Sequence, residues 1–357
     1  MNYPVSTPTG NTRPYRLYII LSLVLVLVFA IAFGGYKIVF YSASAKEVVE
    51  TTPLVKKEEA KKAPVIASPE EYDRRIAVMV NGDSSGLWPV KTDYPLEGAV
   101  LPYKRILAFY GNLYSKQMGI LGELPRAQML KKLQEEAAAW AKADTTTEVV
   151  PALHYIAVTA QQSPGKGNKY RLRMPHHQID TILSMAREIN ALVFIDVQVG
   201  HSTLQEELPE FEKYLKMPNV HLGIDPEFSM KQGHAPGKKV GTFDAADINY
   251  ATGYLAKLVT ENNLPPKVFI VHRFTQNGVT NYKQIKTRPE VQFVMDMDGW
   301  GHPPLKKDTY RNYIYREPVQ FTGFKLFYKN DTKNNGRLLT PEEVLSLKPR
   351  PLYIQYQ

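Results

Sequence analysis

The 357-residue sequence contains no cysteine. Disulfides, thiolate metal sites, cysteine nucleophiles and a lipidated N-terminal cysteine are therefore excluded. Charge of one sign is also scarce over most of the chain. The net +9 divides into +4 on residues 1–68 and +5 on the remaining 289. Five charges over that length make a weak field, so no nucleic-acid partner is expected. The Gly-rich phosphate signatures G-x-G-x-x-G and G-x-x-x-x-G-K-[ST] are missing from FYGNLYSKQMGILG (109–122), the first turn where a nucleotide fold would carry them. No repeat of fixed period and no low-complexity tract follows Ser68.

What is present begins with one long apolar run. Residues 17–36, between Arg16 and Lys37, carry no charge. At 1.5 Å per residue they can span a bilayer core of about 30 Å. Arg13 and Arg16 precede the run and place the N-terminus in the cytoplasm by the positive-inside rule. Its length exceeds that of a signal-peptide core, although Ala43-Ser44-Ala45 has the look of a cleavage site. The sequence thus predicts a tail (1–16), a transmembrane anchor in the lipid bilayer (17–36), a flexible stalk (37–68) and one body (69–357). The body is expected outside the cytoplasmic membrane. The stalk assignment rests on short alternating charge blocks, two prolines and no aromatic residue in residues 42–68.

The body contains eight short apolar runs. They are 105–111, 149–156, 192–198, 220–225, 267–274, 291–298, 323–329 and 351–356. Most are near-continuous Val, Ile, Leu and Phe, as strands covered on both faces require. Helical patterns separate several of them, at 126–143, 177–190, 203–216, 244–263 and 340–348. Pro209 should break the third of these, Asp244 should cap the fourth, and Thr340 with Glu343 should form a capping box on the fifth. Segments 275–290 and 299–321 show no clear pattern. The expected fold class is α/β, a single (β/α)8 TIM-type barrel, with residues 69–104 covering the missing last helix or plugging the barrel bottom. A doubly wound open sheet is the alternative.

In such a barrel the chemistry lies at the C-terminal ends of the strands. Polar residues gather there: Tyr110, His154, Asp196 with Gln198, Asp225 with Glu227, His272, Asp296 with Asp298 and Trp300, and Gln355. In an extended strand Asp225 and Glu227 would share one face, and two carboxylates at one pole can divide acid and base roles. A turn-forming role for Asp225 before Pro226 competes with that reading. Trp300 beside the carboxylates suits stacking on a sugar. Glu227 is the expected acid, with Asp225, Asp196 or Asp296 as its partner. Tyr110, His154, Gln198, His272, Asp298, Trp300 and Gln355 are the expected substrate contacts. Lys325 lies inside a strand and could form a Schiff base, though nothing else points to that chemistry. Residues 163–175, with Lys166, Lys169, Arg171 and Arg173, read as a solvated β-hairpin.

The blocks MGILGE (118–123), PAL (151–153), RMP (173–175), DVQVGHS (196–202), GIDPEF (223–228), KVFIVHRFT (267–275) and DGWG (298–301) resemble those of uncharacterised exported bacterial barrel proteins. More distantly the layout resembles glycoside hydrolase barrels, whose D-x-E motif is matched by Asp225-Pro226-Glu227. The resemblance implies an enzyme acting on a cell-envelope glycan through strand-end carboxylates, without a cofactor or a metal. Two alternatives remain. One is a metal-dependent hydrolase of deacetylase or phosphodiesterase type, with His154, Asp196, Asp225, His272 and Asp296 as ligands. The other is a barrel that binds a glycan or partner without turnover.

Overall fold

The computed structural model describes residues 68–357. The segments expected as anchor and, but for Ser68, as stalk lie outside them. No helix among the described residues is long and apolar enough to cross a membrane.

Eight parallel strands follow one another around a closed barrel. They are β1 (Lys104–Gly111), β2 (Glu148–Ala160), β3 (Leu192–Val197), β4 (Val220–Ile224), β5 (Lys267–Arg273), β6 (Val291–Met297), β7 (Phe321–Leu326) and β8 (Tyr353–Tyr356). Each pairs with the next, and β8 pairs with β1, so no edge remains. Every apolar run expected as a strand forms one, and the open-sheet alternative is excluded by closure.

The helices follow the same logic. After α1 (Pro69–Val80) come α2 (Arg126–Ala143), α3 (His176–Glu188), α4 (Ala245–Asn262), α5 (Pro303–Thr309) and α6 (Pro341–Leu345). Asp244 caps α4 in a capping box with Asp247, and Thr340 caps α6 with Glu343. Between β3 and β4, Pro209 divides the expected helix into three single turns, Leu204–Glu207, Leu208–Phe211 and Glu212–Leu215. Segment 275–290 forms only short 3-10 turns and a two-residue strand, Val279–Thr280. The stretch 163–175 does contain a hairpin, because Arg171–Arg173 returns antiparallel to the end of β2. Its charges are engaged within the fold: Arg171 and Arg173 both bind the buried Glu207, and Lys169 binds Glu206.

Alternation along each strand separates two cores. Leu107, Phe109, Leu153, Tyr155, Val193 and Ile195 face outward and pack under the helices. Ile106, Ala108, Ala152, Phe194, Val268, Ile270 and Val294 face into the barrel. Tyr72, Met79 and Val80 of α1, with Trp88 and Leu101, join this inner cluster and close the N-terminal end of the barrel. Residues 69–104 are therefore the plug. Leu101 is fully buried, and the backbone N–H groups of Val100 and Leu101 donate to Gln292 Oε1 on β6. Leu101→Ala is expected to lower stability by about 2–5 kcal/mol, read as a shifted urea midpoint with the secondary structure unchanged.

Candidate functional site

The inward face of each strand is apolar near its N-terminus and polar near its C-terminus. Two residues beyond Ala108 comes Tyr110; beyond Ala152, His154; beyond Phe194, Asp196; beyond Ile270, His272; beyond Val294, Asp296. The parallel register sets these side by side, with Tyr110 opposite His154, Asp196 opposite Gly223 and His272 opposite Asp296. The period of two that builds the core also delivers the polar groups to one pole.

The deeper layer is a hydrogen-bonded cluster of His154, Asp196, His272 and Asp296, almost fully buried. Asp196 accepts from the Tyr110 hydroxyl at 3.0 Å and lies 3.3 Å from His154 Nε2 and 3.6 Å from His272 Nε2. His272 Nδ1 lies 3.0 Å from Asp296 Oδ2 and 3.5 Å from Asp298 Oδ2. Burial opposes a charge on His272, but the flanking Asp196 and Asp296 carboxylates outweigh it and push the imidazole up to about 10. His154 is different. Burial dominates and holds it down to about 4, against the pull of Asp196. Its ring stacks on Phe194 and its Nδ1 meets the Tyr353 hydroxyl at 2.6 Å. Burial also opposes the charge on Asp196, yet the two facing histidines hold the carboxyl well below its ordinary value.

Glycines make room for this cluster. A Cβ on Gly223 would stand 2.4 Å from His154 Nε2, and one on Gly323 would stand 2.5 Å from Asp296 Oδ1 and 3.0 Å from the Tyr353 ring. Gly323→Ala is expected to destabilise by about 1–3 kcal/mol through overpacking, read from the denaturant midpoint.

Above the cluster opens a cavity of about 300 Å³. Tyr110, Gln198, Asp225, Glu227, Asp298 and Lys325 contribute its polar lining, and Phe228, Phe274, Trp300 and Phe327 its aromatic walls. Asp225 and Glu227 do not share a strand face as expected. β4 ends at Ile224, and Asp225 caps a 3-10 turn, Pro226–Phe228, by accepting from the Glu227 N–H at 3.3 Å. The turn-forming and cavity-lining roles coexist, because both acids still face the same space. Burial and then the neighbouring Glu227 carboxylate push Asp225 well above its usual range. Glu227 is raised by burial and then by Asp298, against the pull of Lys325 and His272, to about 7. Lys325 Nζ binds both oxygens of Asp298, at 2.9 and 3.0 Å, and lies 4.1 Å from the centre of the Tyr110 ring.

The structure thus brings Glu227, Asp225, Asp298, Tyr110, Gln198 and Trp300 to one cavity. Asp196 and Asp296, expected as partners of Glu227, lie one layer deeper, fully buried and engaged by histidines. His154, His272 and Gln355 are likewise buried in that layer, where Gln355 Nε2 donates to the Tyr353 hydroxyl at 2.6 Å. The sequence alone assigns no site role to Tyr353, Phe274, Phe327 or the two glycines, and suggests Lys325 only as an imine former. The signal for Lys325 is a charged residue on the inward face of an otherwise apolar strand. Trp300 is held beside the cavity by the loop after β6, where the Gly301 N–H donates to the buried Asp331 at 2.9 Å.

No family model matches the sequence, and no curated protein does. Among solved structures the chain is similar to a ruminal GH26 endo-β-1,4-mannanase, at 10% identity and TM-score 0.33, over 72% of this chain and 60% of that one. It is also similar to a hyperthermophilic endo-β-1,4-glucanase, at 6% identity and TM-score 0.32, over 58% of this chain and 77% of that one. A third likeness is to dihydropteroate synthase from Burkholderia cenocepacia, at 10% identity and TM-score 0.33, over 72% of this chain and 86% of that one. Likenesses at this level bear on neither substrate nor reaction.

Proposed function

We propose that the barrel hydrolyses glycosidic bonds of an extracytoplasmic glycan, with Glu227 as the acid and Asp298 as the nucleophile or base. The observation that carries this reading is the pairing of two carboxyl groups in opposite environments within one aromatic-walled cavity. Burial and the Asp298 charge favour the proton on Glu227, so it can donate to a leaving oxygen. Lys325 binds both oxygens of Asp298 and fixes the orientation of its carboxyl group, as a nucleophile or a base requires. Trp300 is 51% exposed beside these groups, which offers a sugar ring an apolar face to stack on. Asp225, one of the three expected partners, lines the cavity with Glu227, and its raised proton affinity suits it to hydrogen-bond a sugar hydroxyl as a donor.

The run 17–36 anchors the body to the bilayer in this reading. Fractionation of the full chain with membranes supports that assignment, and recovery of a soluble form starting near Lys46 contradicts it.

The activity test is release of reducing ends from a panel of insoluble and soluble glycans, including peptidoglycan strands and β-1,4-glucans. Turnover should fall as pH rises through about 7, because the acid form of Glu227 is then lost. A rate that stays flat or rises across that interval contradicts Glu227 as the acid. Absence of turnover on every glycan, with binding retained, would instead support a barrel that binds without catalysis.

A further inference from the structure

The deeper histidine–aspartate cluster has no role in the proton transfers above, and its geometry asks for a cation. His154 Nε2, one Asp196 oxygen and His272 Nε2 all lie within 4.8 Å of one another. A tetrahedral ion bound at about 2.1 Å holds its ligand atoms about 3.4 Å apart. The separations from Asp196 Oδ1 to the two nitrogens, 3.3 and 3.6 Å, bracket that value.

Three further observations point the same way. First, His272 Nε2 is buried without a hydrogen-bond partner, and it faces this cluster. Second, the far side of each group is tethered as ligand-orienting contacts require. Asp296 holds His272 Nδ1 at 3.0 Å, the Tyr353 hydroxyl holds His154 Nδ1 at 2.6 Å, and the Tyr110 hydroxyl donates to the other Asp196 oxygen at 3.0 Å. His272 Nδ1 donates to the Asp296 carboxylate, which leaves its Nε2 as the ring atom that faces Asp196. Third, the space between His154 Nε2 and Asp196 Oδ1 is bordered by Gly223. A Cβ there would stand 2.4 and 2.6 Å from those two atoms, so only a residue without a side chain leaves that point free.

All three groups are fully or almost fully buried. We infer that His154, Asp196 and His272 bind one divalent first-row transition ion, of the kind zinc represents, beneath the Glu227 cavity. Two imidazoles and one carboxylate suit such ions and not magnesium or calcium. The ion ties β2, β3 and β5 together under the floor of the cavity. This inference is independent of the glycan reading.

The test uses the full chain purified without chelator or histidine tag. Elemental analysis should find close to one equivalent of a transition metal. After stripping, Co2+ titration should give visible d–d bands that saturate at one equivalent and are displaced by Zn2+. Zn2+ should raise the melting temperature of the wild type. His272→Gln, folded by circular dichroism, should weaken Co2+ binding at least 100-fold and lose the thermal shift. If His272→Gln fails to fold, Asp296→Asn serves in its place, with about 10–100-fold weaker binding expected from loss of the outer contact. Glu227→Gln should bind metal as the wild type does. A folded wild type that gives no Co2+ spectrum overturns the proposal, as does binding left unchanged by the substitution that is tested. Failure of every glycan to react would leave this result standing, because metal binding is read without activity.

Discussion

Glu227→Gln is expected to lower glycan turnover by a factor of about 10²–10⁴, the usual worth of a positioned general acid, while leaving oligosaccharide binding nearly intact. The amide keeps the size of the side chain and removes only the titratable proton. The stability effect has a definite sign. The folded-state proton affinity of Glu227 is raised to about 7 from an ordinary value of 4.5. The wild type therefore has its full stability from this group below about pH 4.5 and loses it as pH rises through about 7. Glutamine resembles the protonated form at every pH, so the variant should be the more stable protein at pH 8 and no more stable at pH 4. Urea unfolding at both values checks this. A variant that retains activity within a factor of two assigns the acid elsewhere. A variant that is inactive and also much less stable at pH 8 assigns Glu227 a structural role.

Asp331→Ala is expected to cost about 3–5 kcal/mol of stability, because it leaves a buried lysine without its counter-charge. Lys306 is 1% exposed, and its ammonium lies 2.8 Å from Asp331. Its other hydrogen-bond partners are the backbone carbonyls of Gly299 and Lys325, and it lies over the Phe324 and Phe327 rings. Burial already lowers the proton affinity of Lys306 against the pull of Asp331. Asp331 also accepts from the backbone N–H groups of Gly301 and Phe327, so it positions two of the four aromatic walls of the cavity, Trp300 and Phe327. The substitution should thus weaken glycan binding as well as the fold. Replacing both partners, Lys306→Met with Asp331→Ala, should recover part of the stability, because no unpaired charge remains. It should not recover the binding, since the loop contacts stay lost. Equal stability of the single and double variants, measured by urea unfolding, contradicts the pairing argument.

Much of this architecture is written plainly in the sequence, and the reason is physical. A parallel strand covered on both faces must be apolar along its length, so each of the eight stands out as a short run of Val, Ile, Leu and Phe. Closure then follows from their number and order. The polar residues that interrupt those runs at their C-terminal ends are costly to bury without a partner. That is why Tyr110, His154, Asp196, His272 and Asp296 are readable as a set. Two kinds of information are not readable. Depth within the barrel depends on the stagger between strands, which spacing along the chain does not encode. Asp196 and Asp296 therefore look equivalent to Glu227 and Asp298 in the sequence, although the structure places them one layer below. Contacts across the barrel are also silent in the sequence. Lys325 meets Asp298 from the neighbouring strand, Tyr353 meets His154 from six strands away in order, and Gly223 and Gly323 matter only through the side chains they admit. Asp225-Pro226-Glu227 is a mixed case. Proline signals a turn and the acids signal a site, and both signals are correct for different atoms of the same three residues.

The most direct measurement of the central claim is a crystal structure of Glu227→Gln soaked with the hexasaccharide of whichever panel glycan the wild type cleaves. The account predicts a sugar stacked on Trp300, with the scissile oxygen within hydrogen-bond reach of the residue 227 side chain and the Asp298 carboxylate beside the adjoining anomeric carbon. An oligosaccharide seated outside this cavity, or seated within it with its glycosidic oxygens turned away from residue 227, would contradict it.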